Sequence, residues 1–344
     1  MRKQTLKGLA VGLVAVVGLA ACGSSSSSDT TVAAGAAGLA CEVTDTGGVD
    51  DKGFNQIAHE GLLQAETELG VTTDLLESTT DADYAPNLQS FVDKGCNVIV
   101  TVGFLLADAT KAAAEANPTV QFAIVDSNTS APNVQGLTFA TDQPSFLAGY
   151  MAAATTKSGI VGTFGGINIP PVATFMQGFA KGVEYYNAQK GTSVKVLGWD
   201  IAKQDGTFSG DFNDQTKGTS IAKSMADEGA DIIFPVAGPV GLGASQFAMD
   251  SAGKVKIIGV DVDMAVSNPT QAEVYVASVL KKIDAAVLQA VKDALAKTGG
   301  GTDYLGTLEN GGVGVSITST ITPELQAELD AVTAGIIDGS IVTK

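Results

Sequence analysis

Asp45-Thr46-Gly47-Gly48-Val49-Asp50-Asp51-Lys52-Gly53-Phe54-Asn55 is the stretch of this chain densest in groups able to do chemistry. Carboxylates, a phenyl ring and an amide are gathered around two consecutive glycines. Asp50 and Asp51 stand where side-chain oxygens cap the start of a helix and complement its dipole. Phe54 has no such duty, because a ring in the first turn after a strand end faces away from the sheet, toward a cleft. Asn55 carries a donor and an acceptor side by side, which suits the edge of a heterocycle. Glycine and aspartate recur at later strand ends, in Val102-Gly103-Phe104, Asp126-Ser127-Asn128, Gly165-Gly166-Ile167-Asn168, Ala237-Gly238-Pro239 and Asp261-Val262-Asp263. These features fit the binding of a flat, polar, uncharged molecule. Paired carboxylates also leave hydrolysis open.

Composition removes other chemistries. His59 is the only histidine, which disfavours metal sites and the usual Ser-His-Asp or Cys-His arrangements. No G-K-[ST] fragment follows a glycine loop, so none of the loops is a phosphate loop of that kind. The net charge is −17, and nucleic acid is an unsuitable partner for so acidic a chain. Arg2 is the only arginine. Without the guanidinium fork the body lacks the usual protein answer to carboxylate and phosphate groups, which points to a neutral ligand.

Arg2, Lys3 and Lys7 precede an apolar run, Gly8 to Ala21, that is shorter than the ~20 residues needed to cross a bilayer. Residues 1–21 therefore read as a signal peptide. Leu19-Ala20-Ala21-Cys22 resembles a lipobox, in which Cys22 is lipidated and becomes the mature N-terminus. Residues 22–38, with the serine run Ser24 to Ser28, read as a flexible tether. A body held outside the cytoplasmic membrane has no steady supply of ATP or reduced nicotinamide, so capture is expected rather than cofactor-driven turnover, and no cofactor or metal is called for.

The elements that must position these residues alternate as short β-rich runs and longer amphipathic ones, the pattern of βα units on a mostly parallel sheet. Strands are predicted at 40–44, 71–76, 98–102, 121–125 and 134–139, then at 160–164, 193–199, 231–236 and 256–260. Helices are predicted at 54–69, 84–94, 107–116, 145–156, 171–186 and 216–228. The tail adds a strand at 274–279, a helix at 281–296, a weak strand at 313–317 and a last helix at 323–338. This is an α/β chain of two lobes, each a doubly wound, mostly parallel sheet. The expected lobes are 39–141 plus 271–299 and 142–270 plus 300–344, with crossings near Thr141, Asn268 and Gly300. Multiple crossings permit closure around a ligand, which in open parallel sheets sits beyond the carboxyl ends of the strands. Cys41 and Cys96 each open a strand-like run. In a sheet of order 2-1-3 those strands are neighbours, so outside the cytoplasm the two sulfurs form a disulfide or stand as two buried thiols.

The first motif resembles the basic-membrane-protein (BMP) family of lipoproteins. So do Phe146-Leu147-Ala148-Gly149, Phe175-Met176-Gln177-Gly178-Phe179, Asp214-Gln215-Thr216-Lys217-Gly218, Val260-Asp261-Val262-Asp263 and Ser278-Val279-Leu280-Lys281-Lys282-Ile283-Asp284. That resemblance implies the two-lobed type I periplasmic-binding-protein fold and a receptor for purine nucleosides serving an ABC importer. It implies that Asp45 and Asn55 hydrogen-bond the base and that Phe54 stacks on it. Asp126 would face the cleft, and Phe175 and Phe212 would close the other side of the base. Gly238 would press its backbone on the nucleoside, and Asp261 and Lys281 would hold the ribose hydroxyls. His59 and Thr174 depart from the family pattern, which has tryptophan and arginine there in many members; His59 is expected as an exposed helix residue. Phe179, four residues after Phe175, is the alternative ring to face the cleft. The expected partners are a purine nucleoside, an ABC permease and, through the lipid, the membrane, with the receptor acting as a monomer. A sugar or autoinducer receptor of the same fold and a nucleoside hydrolase are the alternatives.

Overall fold

The computed structural model describes residues 38–344. The signal peptide 1–21, Cys22 and all of the tether but its last residue lie outside the described residues. The chain begins with β1 (Leu39–Val43), α1 (Phe54–Leu69), β2 (Thr72–Leu76), α2 (Tyr84–Lys94), β3 (Val98–Val102), α3 (Ala107–Ala116), β4 (Gln121–Val125) and β5 (Val134–Phe139). It continues with α4 (Asp142–Thr155), β6 (Ile160–Gly165), α5 (Pro170–Lys190), β7 (Lys195–Leu197), the short hairpin β8 (Trp199–Asp200) and β9 (Asp205–Gly206), and α6 (Gln215–Asp227). Then come β10 (Ile232–Val236), α7 (Pro239–Asp250), β11 (Lys256–Asp261), α8 (Met264–Ser267), β12 (Tyr275–Lys281), α9 (Ile283–Ala296), β13 (Asp303–Gly306), β14 (Val313–Ile317) and α10 (Pro323–Ile337).

Two six-stranded sheets result, ordered β13-β5-β4-β3-β1-β2 and β14-β12-β11-β10-β6-β7. Counted within its own lobe, each follows the order sixth, fifth, fourth, third, first, second, so the second lobe repeats the first. All neighbours are parallel except β12 and β14. Central strands are buried on both faces; β3, Val-Ile-Val-Thr-Val, is buried throughout, as a strand covered by helices on both sides must be. In the first lobe α1 and α9 cover one face and α2 and α3 the other. In the second, α4, α5 and α10 lie on one face and α6 and α7 on the other.

Two boundaries differ from the expectation. The segment after Asn268 does not leave its lobe: Pro269–Val274 is a short 3-10 turn that returns the chain to pair β12 beside β11. The segment after Gly300 does not stay in the second lobe, because Asp303–Gly306 adds β13 to the edge of the first sheet, against β5. Asp-Tyr-Leu-Gly is an edge strand with mixed exposure and offers no apolar run to read. The chain therefore crosses at Thr141, at Lys282 and through Thr307 to Gly312. Backbone bonds tie the crossings together, from Ala140 N–H to the Gly306 carbonyl (2.8 Å) and from Lys282 N–H to that of Gly312 (2.9 Å).

The second lobe depends on a close crossing of α4 and α5. A Cβ at Gly149 would lie 2.0 Å from the Phe179 carbonyl oxygen, and one at Gly182 would lie 2.0 Å from that of Phe146. Backbone cannot yield as a flexible side chain does, so Gly182→Ala is expected to destabilise the protein by about 2 kcal/mol or more. Urea unfolding checks this; an unchanged midpoint would mean that the helices separate at little cost.

Candidate functional site

The carboxyl ends of both sheets face one cavity, of about 640 Å³ counting its open mouth. Its lining includes Asp45, Asp51, Phe54 and Asn55 from the first βα turn, Phe104 after β3, Asp126 after β4, Phe175 on α5, Phe212 before α6, Gly238 at the start of α7, Asp261 ending β11 and Lys281 ending β12. Every ligand-contacting residue expected from the sequence is thus placed on one cavity.

Asp45 leaves β1 almost buried, at 7% exposure. Its Oδ1 accepts from the Tyr84 hydroxyl and from the Thr46 N–H at 2.6 Å. Its Oδ2 rests against Gly103, where a Cβ would come within 2.7 Å and where φ is +118°. Glycine is required there on both counts. Burial pushes the Asp45 carboxyl above its ordinary range, and the bonds from Tyr84 and Thr46 oppose this. Beyond the Gly47-Gly48 turn, Asp51 accepts from the N–H groups of Gly53 (2.9 Å), Asn55 (2.8 Å) and Gln56 (3.1 Å). It caps α1 as expected, while Asp50 is exposed. With its first turn fixed in this way, α1 presents Phe54 and Asn55 to the cavity. Asn55 is buried, donates weakly to the Thr46 carbonyl (3.4 Å), and has an Oδ1 with no partner. An unpaired buried amide oxygen costs free energy until a donor reaches it.

A group of charged side chains shares the lining. The fourth strand of each lobe ends on an aspartate in the left-handed region, Asp126 and Asp261 both with φ of 67°. Such a backbone is strained for a residue other than glycine, and strain of this kind gathers at functional sites. Lys281 is 1% exposed and pairs with Asp126 across the lobes at 2.5 Å. Its Nζ also stands 4.8 Å from the ring centre of Phe54, 5.3 Å from that of Phe139 and 5.7 Å from that of Phe175. Asp261 has its carboxyl pushed up to about 7, first by burial and further by Asp126 and Asp51, with Lys281 opposing. Among the described lining residues Lys281 is the cation, against the carboxylates of Asp45, Asp51, Asp126 and Asp261.

Apolar surface completes the walls. Phe175 faces the cavity while Phe179, with no exposure, sits in the core of the second lobe against Phe234. The Phe212 ring lies on Gly166, where a Cβ would come within 2.2 Å of it. Gly238, with φ of 52° and ψ of −135°, turns the chain into α7 at the cavity wall. Trp199 is buried and donates to Gln177 at 2.8 Å. The expectation for His59 needs correction. It is half-buried, with Nδ1 3.8 Å from Oε1 of the fully buried Glu42, because that carboxylate lies under α1. Burial pushes the Glu42 carboxyl up, and Glu42 in turn raises His59. Neither lines the cavity, nor does Thr174, whose hydroxyl donates to the Pro170 carbonyl at 2.8 Å. Sequence reasoning missed Phe104 and Tyr84. Phe104 stands beside a strand-end glycine and was findable, whereas Tyr84 sits on α2, far from any such signal.

Two repeated lobes joined by three crossings, with a cavity at facing strand ends, define a type I periplasmic-binding-protein fold. An ABC transporter solute-binding protein from Aeropyrum pernix K1 shares it with a TM-score of 0.77 and 26% identity, over 89% of this chain and 93% of that one. The chain belongs to the Bmp family, described as PnrA-like ABC transporter substrate-binding proteins, whose model matches residues 39–344. It is 33% identical to the ABC transporter nucleoside-binding protein BmpA of Lactococcus lactis subsp. cremoris, over 99% of each chain. It is 32% identical to basic membrane protein A2 of Borrelia garinii subsp. bavariensis, over 86% of this chain and 85% of that protein. The protein is therefore a substrate-binding component of an ABC transporter and not an enzyme.

Proposed function

We propose that this protein captures a purine nucleoside between its lobes and delivers it to an ABC permease, held to the outer side of the membrane by a lipid on Cys22. The observation that carries this reading is the set of groups that share the cavity. The unpaired Oδ1 of Asn55, the Asp45 carboxylate and the Phe54 ring share its walls with a carboxylate and an ammonium, Asp261 and Lys281. A base needs N–H acceptors at its edge and a ring at its face, and a ribose needs partners for its hydroxyls. The balance of four lining carboxylates against one lysine, itself paired, opposes an anionic ligand. Phe175, Phe212 and Phe104 share the apolar lining with Phe54, and Gly238 lets the backbone approach. Cys22 lies outside the described residues, so the anchor rests on the leader and on Leu19-Ala20-Ala21-Cys22.

Titration of inosine into the wild type and Phe54→Ala, followed by heat, tests the reading. Removing a stacked ring is expected to weaken binding about tenfold or more. An unchanged dissociation constant would take Phe54 out of the site.

A further inference from the structure

Tyr84 has no role in the reading above, yet its hydroxyl is committed to the cavity. The residue opens α2, is 4% exposed, and packs in the apolar cluster with Leu88, Phe91 and the Cys41–Cys96 pair. Phenylalanine would fill that cluster without a polar atom to satisfy. The hydroxyl instead donates to Oδ1 of Asp45, the same oxygen that accepts from Thr46 N–H. Two donors on one oxygen fix the rotation of the carboxylate and leave Oδ2 beside Gly103, a lining residue.

We infer that Tyr84 is a positioning residue for the ligand: by holding Oδ1 it keeps the Asp45 carboxylate an acceptor for N–H donors on the bound base. The inference rests on the nucleoside reading and names a residue on which the recognition of the base depends. Burial works against an ionised Asp45, and the Tyr84 bond works for it. Without the hydroxyl, Asp45 takes up its proton at a higher pH, and a protonated carboxyl no longer offers two acceptor oxygens to the base. Asp51, Asp126, Asp261 and Lys281 line the same cavity from their own elements, and Asp81 and Asp83 face Tyr84 from the turn before α2. All of them remain in a Tyr84 variant, so the difference from wild type reports the one bond.

The test is calorimetric titration of inosine, from mildly acid to neutral pH, into the wild type, Tyr84→Phe, Asp45→Asn and the double variant. Tyr84→Phe is expected to weaken binding about tenfold at neutral pH and to move the acid fall-off in affinity upward by about one pH unit. In the Asp45→Asn background the same substitution is expected to move nothing along the pH axis. A constant loss at every pH, or a shift that persists in Asp45→Asn, would overturn the inference and reduce Tyr84 to packing. Should Tyr84→Phe not fold, Asp45→Asn decides: Asp261 keeps its own acid fall-off, so Asp45→Asn must lose only the step that Asp45 adds, and a pH profile of the same shape as the wild type's overturns the proposal. A wild type that ignores inosine at every pH strikes the nucleoside reading itself, an outcome distinct from a wild type that binds and a Tyr84→Phe that titrates identically.

Discussion

Lys281→Met is expected to abolish nucleoside capture and to destabilise the protein by about 3–5 kcal/mol, the cost of leaving one member of a buried ion pair without its partner. Methionine nearly matches the lysine stem, so the packing against Phe54, Phe139 and Phe175 is retained and the loss is electrostatic. The contacts of the ammonium with those rings are each worth about 0.5–2 kcal/mol, less than the Asp126 pair. What dominates is the stranded carboxylate: Asp126 has a side chain 11% exposed and loses the ammonium 2.5 Å away. Asp261, already pushed up to about 7 by burial, loses the charge that opposed the shift. Denaturant unfolding measures the stability, and calorimetry with inosine measures the capture. The double variant Lys281→Met with Asp126→Asn separates the two effects, since it removes the stranded charge and is expected to recover most of the stability but none of the binding. Equal stability of Lys281→Met and wild type would mean that water reaches Asp126 freely, and the account of the buried ion pair would fail.

Replacing both Cys41 and Cys96 by alanine is expected to cost about 4 kcal/mol, from the chain entropy released when a loop of this length is opened. The two cysteines are bridged in the structure, with a sequence separation of 55 and Cα atoms 6.1 Å apart. The bridge ties β1, which leads directly to Asp45, to the chain just before β3, which leads to Gly103. Both sulfurs lie in the cluster that seats Tyr84, so alanine leaves small voids as well as a freer unfolded chain. The effect falls on stability: the urea midpoint of the double variant should drop sharply, while inosine affinity under native conditions changes little. If reduced and oxidised wild type unfold at the same midpoint, the bridge contributes nothing and the estimate is wrong.

The succession of βα units and the position of the cavity were legible because both follow from local pattern. β3 reads as an apolar run, the Gly-Gly turn and Asp51 announce the start of α1, and parallel strands place their ligands beyond their carboxyl ends. Phe54 could be picked out for the same reason, as a ring in the first turn after a strand end. Four features were illegible because long-range pairing decides them. Asp303–Gly306 joins the first sheet by edge pairing with β5, which leaves no periodicity in the sequence. The turn at Pro269 looks like a crossing and is a return to the same sheet. The bond from Tyr84 to Asp45 spans a sequence separation of 39, and the approach of His59 to Glu42 depends on how α1 lies on β1. Apolar pattern reveals which face of a strand or helix is buried, but not which polar atom it meets there.

The central claim is that an uncharged nucleoside occupies the cleft, and calorimetric titration of the purified protein with inosine, ribose and an organic anion in parallel tests it most directly. The account predicts saturable one-to-one heat with inosine and none with ribose or the anion at the same concentrations. Saturation by ribose alone, or by the anion with inosine silent, would contradict it.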